Sequence, residues 1–276
     1  MSTAPTPRSP GSDGPHTMPL AGAGQRLAVV VAHPDDETFG CGSLIAQAAA
    51  AGAHVTVICA TRGELGERRP DGVRDGWPLG LVREAELCEA AAVLGVAEVV
   101  LLDHVDSGFG GAVAEGALVA APIEGLAIEL ATRLAAVQPE VVLTLDGSDG
   151  HRDHVHLRDA LRCAVGWLEP QPRLVYSCLP NSLMRRWAAV MAEQQPDMAH
   201  LAIDVAQLGR PDAELTMIDN GAVLAVRERA ISCHRSQASP YDGLPPELRR
   251  AFLAADHVID ATPTASAAVA QAPSRA

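Results

Sequence analysis

The feature that most constrains this chain is an alternation. Five short β-branched runs, "RLAVVVA" (26–32), "HVTVICA" (54–60), "AEVVLLD" (97–103), "EVVLTLD" (140–146) and "RLVYSCL" (173–179), are separated by longer alanine- and leucine-rich segments of helical period. A mostly apolar run of this length bounded by polar turns is too short for a helix and suits a buried strand. Strands that alternate with helices build βαβ units, and these build a mostly parallel sheet. The expected fold class is therefore α/β: a Rossmann-like, doubly wound sheet with helices on both faces and an irregular C-terminal extension.

Helices are expected over about 39–51, 81–95, 122–137, 151–168, 181–194, 221–234 and 246–254. "HLAIDV" (200–205) and "ELTMID" (214–219) read as an added hairpin or as extra edge strands. Residues 1–24 are rich in Pro, Gly, Ser and Thr and lack both a basic start and a continuous apolar stretch, so they read as a disordered leader and not a signal peptide. Residues 263–276 have the same character and read as a disordered tail. Residues 25–262 then form a single domain, without internal repeats.

Composition narrows the function classes. The chain of 276 residues carries a formal charge of −13, and all 21 of its Lys and Arg residues are arginine. Such a balance disfavours nucleic acid and anionic membrane as partners, because both need basic surface to offset phosphate. No run is long and apolar enough to span a bilayer. The six cysteines lie scattered in apolar runs without a C-x-x-C, the pattern of reduced, buried thiols. A cytoplasmic protein acting on a small molecule is the expectation, and its oligomeric state is unreadable.

Chemistry concentrates at two places. The first run ends in "AHPDDE", with His33, Asp35, Asp36 and Glu37; the fourth ends in "DGSDGHRDHVH", with Asp146, Asp149, His151, Asp153, His154 and His156 inside eleven residues. Strands one and four lie side by side at the switch point of a doubly wound sheet, where ligands bind beyond the carboxyl ends. Taken singly, Asp35 or Asp36 is as well explained as a helix N-cap. Taken jointly, two acid-and-imidazole clusters at one crevice are best explained by a divalent cation between them, which offsets carboxylate repulsion and accepts imidazole lone pairs.

These residues resemble the two signature motifs of the LmbE-like (PIG-L) family of metal-dependent N-acetylglucosaminyl deacetylases. "TRGE" (61–64), "VDSG" (105–108) and "CHRSQ" (233–237) resemble secondary motifs of the same family, in the same order. The resemblance implies a zinc-dependent N-deacetylase. In it His33, Asp36 and His154 bind Zn2+, with Fe2+ or another first-row ion fitting the same donors. It makes Asp35 the general base, His151 the charge-stabilising or acid partner, and Asp153 the residue that orients that imidazole and favours its charge. It suggests Arg62, Glu64, Asp106 and His234 as substrate contacts and an N-acyl aminosugar-type substrate. Three ligands leave an open position at which the metal lowers the pKa of water from about 15.7 toward roughly 7.

Two departures from the family pattern stand out. Arg152 occupies a position that is commonly proline, which implies a less rigid turn or an added charge beside the pocket. Asp149 stands where some aminosugar members have an oxyanion-binding tyrosine.

Rival readings remain open at the level of sequence. "HPD" with a distant histidine fits the facial triad of a non-haem Fe(II) oxygenase, with binding through Asp35. Gly40 and Gly42 after the first strand imitate a nucleotide-binding module, although the G-x-G-x-x-G spacing is absent. A third rival is a metal-binding relative that has lost catalysis.

Overall fold

The computed structural model describes residues 19–69 and 76–263. Most of the expected leader (1–18) and tail (264–276) lies outside the described residues, but Leu20 and Ala21 pack onto the core, so folded structure begins before residue 25.

In chain order the elements are β1 (Arg26–Val31), α1 (Asp36–Phe39), α2 (Gly42–Ala50), β2 (His54–Cys59), α3 (Leu79–Leu94), β3 (Glu98–Leu101), α4 (Ile123–Val137), β4 (Val141–Leu145), α5 (Arg152–Gly166), β5 (Arg173–Cys178), α6 (Asn181–Gln194), β6 (Thr216–Asp219), α7 (Leu224–Ile231), α8 (Pro246–Ala254) and β7 (Ala255–Asp260). The sheet has seven strands in the order β3-β2-β1-β4-β5-β7-β6. Its first five are parallel, and β7 runs antiparallel to both β5 and β6.

Both faces of the central strands are covered, which is why those strands read as continuous apolar runs and not as alternating ones. Along β1, Leu27, Val29 and Val31 pack toward Leu44, Ile45 and Leu87 of α2 and α3. The intervening Ala28 and Val30 pack toward Leu126 and Leu130 of α4 and Leu161 of α5. A third apolar cluster joins α6 to α8 through Met184, Trp187, Leu248 and Phe252. The pairing Leu27↔Val141 and Val29↔Leu143 sets β1 against β4, so the loops leaving their carboxyl ends share one crevice.

Two expectations are corrected, and one strand is new. The single helix over 39–51 is two, a one-turn α1 and then α2, because the backbone leaves helical geometry at Cys41 (φ −128°, ψ −4°). "HLAIDV" forms no strand; it begins within a 3₁₀ turn over Ala199–Ala202. The strand β7 has no counterpart in the sequence reading, and it pairs with "ELTMID", which is strand β6 as expected.

Candidate metal and catalytic centre

The β1 turn and the start of α5 meet at the switch point. His33 Nδ1 lies 3.4 Å from Asp36 Oδ2 and 3.3 Å from His154 Nε2, and His154 Nε2 lies 3.2 Å from Asp36 Oδ2. Three corners of a tetrahedron with bonds of ~2.0–2.1 Å stand about 3.3 Å apart. One carboxylate oxygen and two imidazole nitrogens at that spacing, all buried, fit a first-row divalent cation in donor type and in geometry.

The remaining nitrogen of each imidazole is held by a carboxylate, as ligating histidines generally are. His33 Nε2 lies 3.1 Å from Asp153 Oδ2 and 3.3 Å from Asp106 Oδ1; His154 Nδ1 lies 2.5 Å from Asp149 Oδ2. The orienting acids are themselves satisfied by backbone: Asp153 accepts from Ser107 N, Asp106 from Leu65 N and Gly108 N, and Asp149 from His151 N. Burial opposes charge on both rings, but the acids overcome it: His33 is held well above the ordinary histidine value, and His154 is raised to about 10. A field that favours a proton on these rings also favours a cation between them.

Each of the three consecutive acids has its own counter-group. Burial disfavours charge on Asp36, yet His154 and His33 keep its carboxyl well below the usual range. Glu37 is fully buried; it accepts the Asp35 N–H at 2.9 Å and meets His234 Nε2 at 2.8 Å. Asp35 faces Arg83, whose Nη2 donates to Asp35 Oδ2 at 2.8 Å and to Pro34 O at 2.7 Å, while Nη1 donates to Gly63 O at 2.7 Å. Asp35 makes no side-chain cap bond to α1, which removes the capping explanation. Its φ of 127° is left-handed for a non-glycine residue, a conformation costing about 1–3 kcal/mol that persists where neighbours over-determine it. Burial pushes the Asp35 carboxyl up to about 6, against the pull of Arg83.

His151 is the N-cap of α5, with its Nδ1 accepting from Asp153 N at 3.2 Å. An accepting Nδ1 places the ring proton on Nε2. Burial, followed by the neighbouring His33 and His154, pushes His151 down to about 4. One expected contact differs: the Asp153 carboxylate turns toward His33 on the β1 side of the crevice, and it is the Asp153 backbone N–H that meets His151.

The other expected residues divide. Asp106 lines the cavity beside the triad. Arg62 turns away from it to pair with Glu84 and Asp103, and Glu64 accepts from Asp106 N, fixing the β3 loop. His234 is buried behind Glu37, while its motif neighbour Gln237 reaches the cavity wall. Arg62, Glu64 and His234 are therefore not wall residues. Arg152 donates to the carbonyls of Ser107, Gly108, Gly110 and Gly111, so the departure from proline pins the glycine-rich loop and adds no free charge to the pocket.

The sequence reading missed Arg83. The signal was present: Leu79, Arg83 and Leu87 fall at i, i+4 and i+8, on the face of α3 that is buried. An arginine on a core-facing stripe needs a buried acid.

The cavity that opens over the triad has a volume of about 450 Å³. The oxygenase alternative fails on placement, since Asp35 is turned to Arg83 and the sheet is a mostly parallel α/β one. The glycines of the nucleotide-binding alternative are used in packing, Gly40 against Leu145 and Gly42 against Arg227.

A family model described as PIG-L, GlcNAc-PI de-N-acetylase, matches residues 28–165. The 1D-myo-inositol 2-acetamido-2-deoxy-alpha-D-glucopyranoside deacetylase of Saccharomonospora viridis is 35% identical over 227 residues, covering 76% of this chain and 84% of that protein. Among solved structures, N,N'-diacetylchitobiose deacetylase from Pyrococcus horikoshii superposes with a TM-score of 0.56 at 19% identity, covering 86% of this chain and 84% of its own. GalB, the 4-carboxy-2-hydroxymuconate hydratase of Pseudomonas putida, superposes with 0.54 at 20% identity, covering 87% and 97%, so the fold alone does not select hydrolysis. The family model spans both halves of the crevice and the relative spans most of the folded chain: the protein belongs to the PIG-L family.

Proposed function

We propose that this protein is a zinc-dependent N-deacylase that hydrolyses the amide of an N-acyl aminosugar or of a metabolite containing one. The observation that carries the reading is the triangle of His33 Nδ1, Asp36 Oδ2 and His154 Nε2 with Asp35 beside it under the Arg83 clamp. The Saccharomonospora viridis relative, a deacetylase of an aminosugar conjugate, supports it.

His33, Asp36 and His154 would hold the cation. When bound, such an ion supplies Lewis acidity toward a carbonyl and makes hydroxide available near neutral pH. The rest is done by side chains. Asp35 accepts the proton of the attacking water at its carboxylate, and Arg83 fixes the direction of that carboxylate while leaving the carboxyl basic enough to accept. Neutral His151 offers its Nε2–H to the oxygen that gains charge as the carbonyl becomes tetrahedral. Asp35 then returns its proton to the departing nitrogen. Asp106, Asp153 and Asp149 keep the two ligand rings in register throughout.

A cytoplasmic location belongs to the same proposal, supported by Cys41, Cys59 and Cys178, which lie buried in the core as reduced thiols. The test is amine release from N-acyl glucosamines by metal-replete and chelated protein, with bound metal measured in parallel. Release that depends on zinc is expected; unchanged release after complete chelation overturns the metal role, and stoichiometric zinc without release from any N-acyl aminosugar overturns the substrate class.

A further inference from the structure

The chain is poor in aromatic residues, with 3 Phe, 3 Trp and 2 Tyr. Phe39, Phe109, Phe252, Trp187 and Tyr241 nevertheless all line the one cavity above the triad. So do Met184, Met191 and Met198, from a total of six methionines. Protein interiors pack densely and leave few voids larger than a water molecule. An apolar wall around about 450 Å³ that the protein's own side chains do not fill is built for a ligand.

The wall is not uniform, and the topology says why. The loops after β2 and β3 leave the sheet on one side of the β1/β4 switch point, and α6 follows β5 on the other. The first side presents Glu67, Arg83, Asp106 and Gln237 beside Phe109; on the second, α6 presents Leu183, Met184, Trp187 and Met191, and the charged Arg227 and Asp256 beyond it are paired with each other. A file of rings connects the reacting centre to that second side: His151 to Phe109 at 5.5 Å between centroids, Phe109 to His200 at 4.3 Å, and His200 to Trp187 at 5.8 Å. An amide carbonyl held at the triad has two arms. The nitrogen carries the hydroxylated sugar, which matches the polar side; the carbonyl carbon carries the acyl chain, which would then enter the apolar side.

We propose that the α6 side of the cavity is an acyl-chain subsite, and that the preferred substrates carry a medium-length N-acyl group instead of acetyl. This rests on the deacylase reading above. Water adds its hydroxyl to the carbonyl carbon, the C–N bond breaks, and the products are a free medium-chain carboxylic acid and the amine.

The experiment measures kcat/KM by amine release, using the zinc-loaded full chain, for N-acetyl-, N-butanoyl-, N-hexanoyl- and N-octanoyl-glucosamine and for the octyl glycoside of N-acetylglucosamine. Each buried methylene is expected to raise kcat/KM about fourfold, so hexanoyl exceeds acetyl by on the order of a hundredfold. Leu183→Trp, which fills the apolar side, is expected to lower the hexanoyl-to-acetyl ratio at least tenfold. The ratio in the unaltered protein decides the matter even where that variant fails to fold. Hydrolysis of N-acetylglucosamine with a flat or falling dependence on acyl length overturns the subsite and leaves the deacylase standing. A larger gain from the octyl glycoside than from any acyl lengthening also overturns it, by assigning the apolar wall to the aglycone. Inactivity toward every member of the series, with zinc bound, overturns the deacylase reading itself.

Discussion

Three adjacent acids at the end of a buried strand repel one another, and at residue scale the fold answers that repulsion by pointing them three ways. Asp36 joins the two imidazoles, Glu37 meets His234, and Asp35 meets Arg83. The turn that achieves this holds Asp35 in a left-handed conformation, pinned by the Glu37 carboxylate on its amide. Asp35→Asn retains the metal triangle but loses the proton acceptor, so kcat is expected to fall by about 10²–10⁴ with zinc content unchanged; activity within a few-fold of the parent would show that another group accepts the proton. His154→Ala removes a corner of the triangle and is expected to lose zinc and activity together, measured by metal analysis after dialysis. Arg83→Lys keeps the charge but loses the fork that reaches Pro34 O, Asp35 and Gly63 O at once. It is expected to lower kcat at least tenfold without changing zinc content. The meeting of the two acid-and-imidazole clusters was legible in the sequence because the topology makes their strands neighbours, whereas the choice of His33, Asp36 and His154 among them came from the family resemblance. The partners of Asp153 were not: the turn of its carboxylate to His33 and to Ser107 N depends on how the β3 loop, held by Arg152, lies across the start of α5.

At the scale of elements, the β4–α5 connection is the joint that delivers His151 and His154. Gly147 there has φ 73°, and a Cβ on it would meet Val155 N at 3.0 Å and Val155 Cα at 3.1 Å, so both conformation and space demand glycine. Gly147→Ala is expected to cost about 1–3 kcal/mol, read as a lower melting temperature, and to weaken zinc binding because it pushes α5 away from β1. The five parallel strands were legible because burial on both faces writes them as unbroken apolar runs. The seventh strand, "ADHVID", was not. It starts at Ala255 directly after α8 ends at Ala254, with no Gly, Pro or Asn to mark the change of period, and so 255–260 stood without an assignment. In the same way, His200 and Met198 join the cavity wall from a segment whose hydrophobic pattern resembles a strand and whose backbone is a 3₁₀ turn.

At the scale of the whole molecule, the catalytic turn is tied to the C-terminal elements through one buried arginine. Arg227 of α7 donates to Asp256 of β7 at 2.7 Å, to Phe39 O at the end of α1 at 2.6 Å, and to Tyr241 Oη at 3.1 Å. Tyr241 Oη in turn donates to the same Phe39 carbonyl at 2.7 Å. The strand that departs from the parallel pattern thus supplies the anion that anchors the helix closing the acidic turn. Breaking such a pair leaves an uncompensated buried charge and typically costs about 3–5 kcal/mol. Arg227→Met is therefore expected to destabilise the fold by that order, while the double change Arg227→Met with Asp256→Leu recovers most of the loss, because two apolar groups leave no charge behind. Denaturant melts of the single and double variants measure it; additive losses in the pair would mean that the two side chains do not act as a unit. An adjacent group sets a pH limit on the same region. Burial pulls His257 of β7 below the ordinary histidine value, against Asp256 and Asp212. The folded state then binds fewer protons than the unfolded chain, so stability rises with pH through this window. It is fully present above the unfolded value of about 6.5 and is lost as pH falls from there toward the depressed folded value. The melting temperature should decline as pH falls below about 6.5, and His257→Gln, which cannot take up the proton, should flatten part of that decline; an unchanged slope in the variant would remove His257 from the account of acid stability.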